Sequence, residues 1–297
     1  MTAAASSADE PSVPADAVPA LPVGTIFWRP IFSLAERELV RFLRQRTRLI
    51  GALGQPILFW ILFGAGLRSS FRPPEWAADS MTYQEYFFPG VIVLIVMFTA
   101  IFSTISIIED RREGFLQGVL VSPISRWSIV FGKLTGGTVL AVLQAGLFLL
   151  LGPALNIVGL APEMTISWTA ISLLSTFAFL TLLAFSLTAL GYLIAWPMDS
   201  TQGFHAVMSV VLMPMWLLSG AFFPGGNAGW LNGIMAFNPL SYGVAGLRRL
   251  MSPGVELPVA AGLPPLSLCL GVTLLTTIIY VGVAGWQTAR KTSPDTR

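Results

Sequence analysis

Charge is what this sequence has least of. Only 11% of its 297 residues are Asp, Glu, Lys or Arg, against 54% that are apolar, and mean hydropathy is +0.73. A soluble domain carries about a quarter charged residues to cover its surface, so something other than water solvates much of this one. Cysteine is nearly absent. Cys269 stands alone in an apolar run, which excludes a disulfide framework and a Cys-built metal site and leaves an ordinary lipid- or core-facing residue. The one histidine, His205, has no Cys and no carboxylate cluster beside it, and Asp199 nearby reads as a loop charge. No metal and no cofactor is therefore expected. The net charge of +2 comes without a nucleic-acid footprint, so no nucleic-acid partner is expected either. The chain has no G-x-x-x-x-G-K-S/T loop and cannot cradle ATP phosphates by that route. Nor does any charged residue fall deep within an apolar run, where an ion-coupled carrier usually needs one.

What the sequence does have is long apolar runs. Six of them, Leu49–Leu67, Phe87–Ile108, Gly132–Leu151, Trp168–Ala195, Ala206–Phe223 and Leu266–Trp286, are long enough to cross a bilayer. At ~1.5 Å rise per residue each covers about 27 Å or more. Backbone in lipid must satisfy its own hydrogen bonds, so these runs are helices. The short alternating segments of a membrane barrel are missing. The expected fold is an all-α polytopic membrane protein with six transmembrane helices within residues 49–290. Residues 1–24, rich in Ala, Ser, Pro and Asp, read as a disordered tail without a cleavable signal. Residues 291–297 form a second tail. Lys and Arg divide thirteen to four in favour of the side that holds the N-terminus. That asymmetry places both termini in the cytoplasm of a multi-pass inner-membrane protein. Residues 224–265 are too long for a turn, yet apolar, aromatic and broken by glycines. They suit a re-entrant helical segment packed against protein. A further hairpin giving eight spans is the other reading, although its pieces are each shorter than about 17 residues.

Two elements outside the spans carry pattern. Within residues 25–48, Phe32, Ala35, Leu39 and Phe42 follow helical spacing, with Arg37, Arg41, Arg44 and Arg48 on the opposite face. Such a helix lies in the membrane interface. It either fixes topology and binds membrane lipid, or also touches a cytoplasmic partner. Between the second and third runs, Glu109, Asp110, Arg111, Arg112 and Glu113 precede Phe115, Leu116, Val119 and Leu120 at helical spacing, and Ser122-Pro123 stops the helix. A short amphipathic helix beneath two spans can receive a push and pass it on. A solvated helix end is the plainer reading of the same charges. Gln55 and Gln144 avoid lipid and either line a path or bond between helices. The hydroxyls of the fourth run can bond their own backbone. Pro56 and Pro214 are kinks that either flex or merely shape packing.

The run from Glu109 through Leu120-Val-Ser-Pro123 to Gly132-Lys133 resembles the signature of the type-2 ABC exporter permease family. Met213–Pro224 (MPMWLLSGAFFP) is similar to that family's fifth span and its exit. Asn238–Arg249 (NPLSYGVAGLRR) resembles its motif around Asn238, Pro239 and Tyr242, and Tyr86–Gly90 (YFFPG) is a weaker match. Together the likeness covers about residues 83–250. It implies a dimer, most simply of two copies of this permease, with an export path between them. It also implies a separate ABC ATPase subunit docked on each half. The helix containing Arg111–Leu120 would be the coupling helix, with Glu109 to Glu113, Phe115, Leu116, Leu120 and Pro123 as contacts. The segment before the first span would be the interface helix, touching the same ATPase. The expected function is a transport subunit rather than an enzyme, moving a hydrophobic or amphipathic substrate: a drug, a lipid, or a lipid-linked glycan or polysaccharide. A secondary transporter or channel, and an integral membrane enzyme acting on lipids, are the competing classes. The first lacks its intramembrane charge here and the second its cluster of carboxylates, His or metal ligands.

Overall fold

The computed structural model describes residues 23–74, 77, 79–162, 168–223, 229–252 and 263–290, and every regular element among them is helical. The predicted tails therefore lie outside the described residues, except that Val23 and Gly24 open the first helix. In chain order the α-helices are α1 (Val23–Arg44), α2 (Arg46–Gly66), α3 (Tyr83–Ser103), α4 (Ile105–Arg112), α5 (Phe115–Val121), α6 (Arg126–Ile157) and α7 (Ala170–Ala195). They continue with α8 (Thr201–Val207), α9 (Met213–Leu217), α10 (Gly229–Phe237), α11 (Pro239–Met251) and α12 (Leu266–Ala289), and a π-helical turn, Met208–Leu212, joins α8 to α9.

Four stretches among the described residues are long and apolar enough to cross a membrane: Tyr83–Arg112, α6, α7 and α12. The first of these is α3 and α4 end to end. They part only at Thr104, whose hydroxyl turns back to the Ile101 carbonyl at 2.6 Å. α3 opens on a capping box in which Thr82 and Glu85 satisfy each other's backbone N–H groups. The predicted first span corresponds to α2, whose apolar part is Leu53–Gly66. The fifth departs most from expectation. Its helical path runs over residues 201–217 rather than 206–223, in three pieces. Pro214 has no N–H to continue the ladder, and the π turn before it takes up the misfit. Past Leu217 the chain leaves through a turn at Gly220, where φ is +75°, a conformation that suits glycine.

α3 threads the centre of the bundle, with every residue from Val91 to Met97 at most 1% exposed. α2, α6 and α7 surround it, and α12 packs outside α7 and α11. α12 leaves Leu274, Leu275, Ile278 and Ile279 about half exposed or more. Aromatic rings fill the centre of one side: Trp60 meets Phe88 at 5.3 Å and Phe148 at 5.6 Å. Such edge and tilted contacts are favoured ring geometries.

The helix before the first span differs from its sequence reading in three ways. It ends at Arg44, so Arg46 and Arg48 belong to the first turn of α2, and their side chains lie outside the described residues. Its inward face is Ile31, Leu34, Ala35, Glu38 and Phe42, while Phe32 from the predicted apolar face is 67% exposed. And it packs lengthwise on α6, a contact that the spacing does not show. Glycine permits this. A Cβ at Gly132 would sit 2.8 Å from Leu34 Cβ, and one at Gly136 would sit 2.7 Å from Glu38 Cβ and 3.2 Å from the Ala35 carbonyl. Small residues four apart make a groove into which a helix backbone can settle.

Within the predicted re-entrant segment, residues 224–228 and 253–262 lie outside the described residues. The rest forms α10, without a buried residue, and α11, which is largely buried. At 9 and 13 residues, neither is long enough for a crossing.

Candidate functional site

One end of the bundle is built from charge. α1 brings Arg37, Glu38 and Arg41, α4 brings Ser106, Glu109 and Asp110, and α6 brings Lys133. Asp110 is fully buried, and Glu38 and Lys133 are each 4% exposed. The Lys133 ammonium donates to Glu38 Oε1 at 2.5 Å, to Ser106 Oγ at 3.1 Å and to Asp110. Arg37 grips both oxygens of Asp110, at 2.7 and 3.0 Å, and Arg41 adds a third bond at 2.8 Å. Arg41 also reaches Glu109 at 2.9 Å and Glu113 at 3.2 Å. Burial opposes charge on the Arg37 guanidinium, but the Asp110 hydrogen bond and the charges of Asp110, Glu38 and Glu113 outweigh it. They hold Arg37 above its ordinary value. A buried carboxylate with this many donors stays ionised without leaving an unpaired charge. The mixed-charge run is thus not a solvated helix end. Glu113 faces water, while Asp110 is the hub of an interhelical network.

Arg111 and Arg112, which the resemblance makes contacts of the ATPase, bond the turn after α7, Arg112 while remaining exposed. Arg111 donates to the carbonyls of Trp196 at 2.6 Å and Met198 at 3.1 Å. Arg112 Nε donates to the Asp199 carbonyl at 3.0 Å. Asp199, read from the sequence as a loop charge, lends Arg111 its carboxylate at 3.3 Å but is 84% exposed. Of the basic stripe on α1, Arg37 and Arg41 serve the network and Arg44 is exposed in the last turn.

α5 hangs below this network. Gly114, at φ +77°, makes the reversal from α4 that other residues would resist. Leu116 is buried and anchors the helix, while Phe115 lies under the Arg37 guanidinium, 3.8 Å from carbon to ring centre. Val121 is 86% exposed, Pro123 is exposed and Leu120 is half-buried. Ser122 Oγ closes the helix by donating to the Val119 carbonyl.

A cavity of about 250 Å³ opens between α1, α2, the α3–α4 junction and α8. Phe42, Phe98, Phe102 and Ile105 wall it, and Gln55, Thr99 and His205 supply polar atoms. The two singled-out glutamines occupy different layers here. Gln55 is exposed on the cavity wall, whereas Gln144 is 4% exposed and takes its hydrogen bond from the Thr99 hydroxyl. The Gln144 amide nitrogen has no partner among the described residues. His205 sits against the Phe102 ring, with centres 5.3 Å apart.

The opposite end draws the separate motifs together. Tyr86 and Gly90 of α3 meet the chain leaving α9. The Tyr86 hydroxyl donates to the Gly220 carbonyl at 2.7 Å, and the Trp216 indole donates to the Gly90 carbonyl at 2.9 Å. Arg248 of α11 is 7% exposed and donates to the carbonyls of Tyr86 at 3.2 Å and Gly220 at 3.4 Å. Asn238 caps α11 at the Leu240 N–H and ties it to the Met215 carbonyl. Pro239 opens the helix at a position that needs no N–H, and the Tyr242 hydroxyl bonds the Ala236 carbonyl. Glu38, Lys133, Ser106 and Arg248 were not singled out as site residues from the sequence. Glu38 had a legible signal, being a carboxylate inside an apolar helical face.

A bundle with crossing-length apolar helices, a charged end and an aromatic end is a multi-pass membrane protein. The ABC-2 type transporter family profile matches residues 29–252. The chain belongs to that family and is an ABC transporter permease. It is 32% identical over 228 residues to the putative transport permease ycf38 of Cyanophora paradoxa, covering 76% of this chain and 75% of that one. It is 24% identical over 270 residues to nodulation protein J of Rhizobium leguminosarum bv. trifolii, covering 90% and 93%. The probable multidrug ABC transporter permease YbhR of Escherichia coli (strain K12) is 25% identical over 170 residues, covering 57% of this chain and 44% of that one.

Proposed function

We propose that this chain is the membrane subunit of an ATP-driven exporter, working with a second copy of itself and a separate ATPase subunit. In this reading α2 and the α8–α9 path complete six spans of the inner membrane, both termini lie in the cytoplasm, and the charged end faces the ATPase. The observation that carries it is the mounting of α5. An exposed helix is joined by Gly114 to α4, rests on Leu116, and touches through Arg37 a buried network binding α1, α4 and α6. A push on α5 is thereby delivered to three helices at once. The spans would then move largely as rigid bodies and alternate access to the path.

The second copy fits best against α2 and the α8–α9 path. That face exposes Gln55, His205 and Ser209, whereas α12 presents Leu274, Leu275, Ile278 and Ile279. Polar groups avoid lipid and an aliphatic face does not. The cavity beside Gln55 and His205 would then lie next to the path, and its aromatic walls suit an amphipathic or hydrophobic cargo. The basic face of α1 and its outward Trp28 and Phe32 would sit at the lipid headgroups.

Co-purification of the tagged chain from its native membrane in mild detergent tests the proposal. An ATPase subunit should co-elute one to one with vanadate-sensitive activity. Val121→Asp, which alters an exposed residue of α5, should abolish that co-elution without changing the melting temperature of the permease. A permease that never carries an ATPase, or a variant that retains it, would refute the docking assignment.

A further inference from the structure

The chain from Trp196 to Ser200 turns α7 into α8, and α4 holds it in the middle. Trp196 is the C-cap of α7, where helix carbonyls lack intrahelical partners. Arg111 supplies them, forking to the Trp196 and Met198 carbonyls, and Arg112 takes the next carbonyl, that of Asp199. The two ends of the turn are fixed independently. The Trp196 ring stacks on Tyr192 at 5.4 Å, the Tyr192 hydroxyl lies 2.8 Å from that of Thr288, and Ser200 caps α8 at the Gly203 N–H. Only Glu113 and Gly114 separate Arg112 from α5. On the far side of the turn, α8 leads within one turn to His205, on the cavity wall.

We infer that Arg111 is a positioning residue for transport, a strut that carries displacement of α5 across to α8 and so to the helix bordering the cavity. This rests on the reading of α5 as the ATPase-docking helix. The strut's hydrogen bonds go to backbone carbonyls, and the Trp196 ring centre lies 5.6 Å from the guanidinium carbon. The Asp199 carboxylate, exposed and screened, adds little. The rigid guanidinium fork is what matters, because Arg111 spans the two carbonyls with two separate terminal nitrogens, a reach that the single nitrogen of an ammonium lacks. Arg111 therefore acts through α8 and touches no cargo.

Hydrogen exchange on the full permease–ATPase complex in nanodiscs, nucleotide-free against ATP–vanadate-arrested, reads the two helices separately. In the wild type, exchange should change in both α5 and α8. In Arg111→Met the α5 change should persist while the α8 change falls at least two-fold, with Arg111→Lys between them and Asp199→Asn like the wild type. An undiminished α8 change in Arg111→Met overturns the strut, and so does a wild type whose α5 responds while α8 does not. A wild type whose α5 does not respond overturns the docking reading, and the strut with it. The wild-type arm needs no substitution and Arg111→Lys keeps the charge, so both are read even where Arg111→Met fails to assemble.

Discussion

Lys133→Met isolates the buried network at the charged end. The ammonium holds two carboxylates that are not equally supplied with other donors. Asp110 keeps Arg37 at 2.7 Å and Arg41 at 2.8 Å, whereas the next cation to Glu38 is Arg37 at 3.6 Å. Removing one partner of a buried pair costs about 3–5 kcal/mol, most of it the penalty of the charge left behind. Here that penalty falls on Glu38 alone, so the loss should sit near the low end, about 3 kcal/mol. That is roughly a hundredfold in the folding equilibrium. Glu38→Met/Lys133→Met removes both charges and fills the space with apolar atoms, and it should return to within about 1 kcal/mol of the wild type. With the Glu38→Met single variant completing the double-mutant cycle, the coupling energy is at least about 2 kcal/mol, and larger by whatever Glu38→Met alone costs. Equilibrium unfolding in mixed micelles, followed by the fluorescence of the nine tryptophans, supplies the numbers. Limited proteolysis of α1 shows whether the loss is local. A single variant within 1 kcal/mol of the wild type, or a double variant no better than the single, would refute the assignment of Lys133 as the ion that holds α1 down.

Two other sites give independent tests. Gly136→Val places atoms where Glu38 Cβ and the Ala35 carbonyl already stand, and backbone cannot yield as a flexible side chain can. α1 should leave its groove and become protease-sensitive while α3, α6 and α7 stay protected, and an α1 still protected from protease would contradict the packing. Arg248→Met at the aromatic end takes a charged donor from the Tyr86 and Gly220 carbonyls and should cost about 2 kcal/mol. Both carbonyls accept from one guanidinium nitrogen, so Arg248→Lys, whose ammonium carries three donors, should restore much of that. An unchanged melting temperature in Arg248→Met would show the contact to be idle.

The helices were legible because lipid leaves the backbone few options. α3, α6, α7 and α12 follow directly from apolar run length, and α6 simply extends past its apolar stretch at both ends. Span five was harder. Its composition showed Pro214 but not the π turn that precedes it, because a ladder slip depends on how α8 and α9 must meet their neighbours. The face of α1 was misread for a related reason. Helical spacing offered Phe32 and Leu39 as readily as Ile31 and Leu34, and only the Gly132–Gly136 groove on α6 selects between them. The charged run at 109–113 was visible as a unit, but its division of labour was not. Asp110 points into the bundle, Arg111 and Arg112 to the turn after α7, and Glu113 to water, since successive helical residues lie about 100° apart. The motifs around Tyr86, Gly220 and Arg248 stood far apart in sequence with nothing local to say that they share one hydrogen-bonded knot.

The same network has a consequence for biosynthesis. Glu38 emerges early, but the ammonium that neutralises it follows 95 residues later, and Asp110, the partner of Arg37, follows 73 residues after that arginine. Domains and helices form as the chain is made, from the N-terminus onward. α1 is thus the first of these helices synthesised, yet it cannot seat until α6 has followed. Until α6 has been inserted, the Glu38 carboxylate lacks the ammonium it meets in the folded bundle. Docking of α1 then reports that the intervening spans have been threaded in the right order, and a chain stalled before Lys133 exposes that fact as a loose, protease-accessible N-terminus.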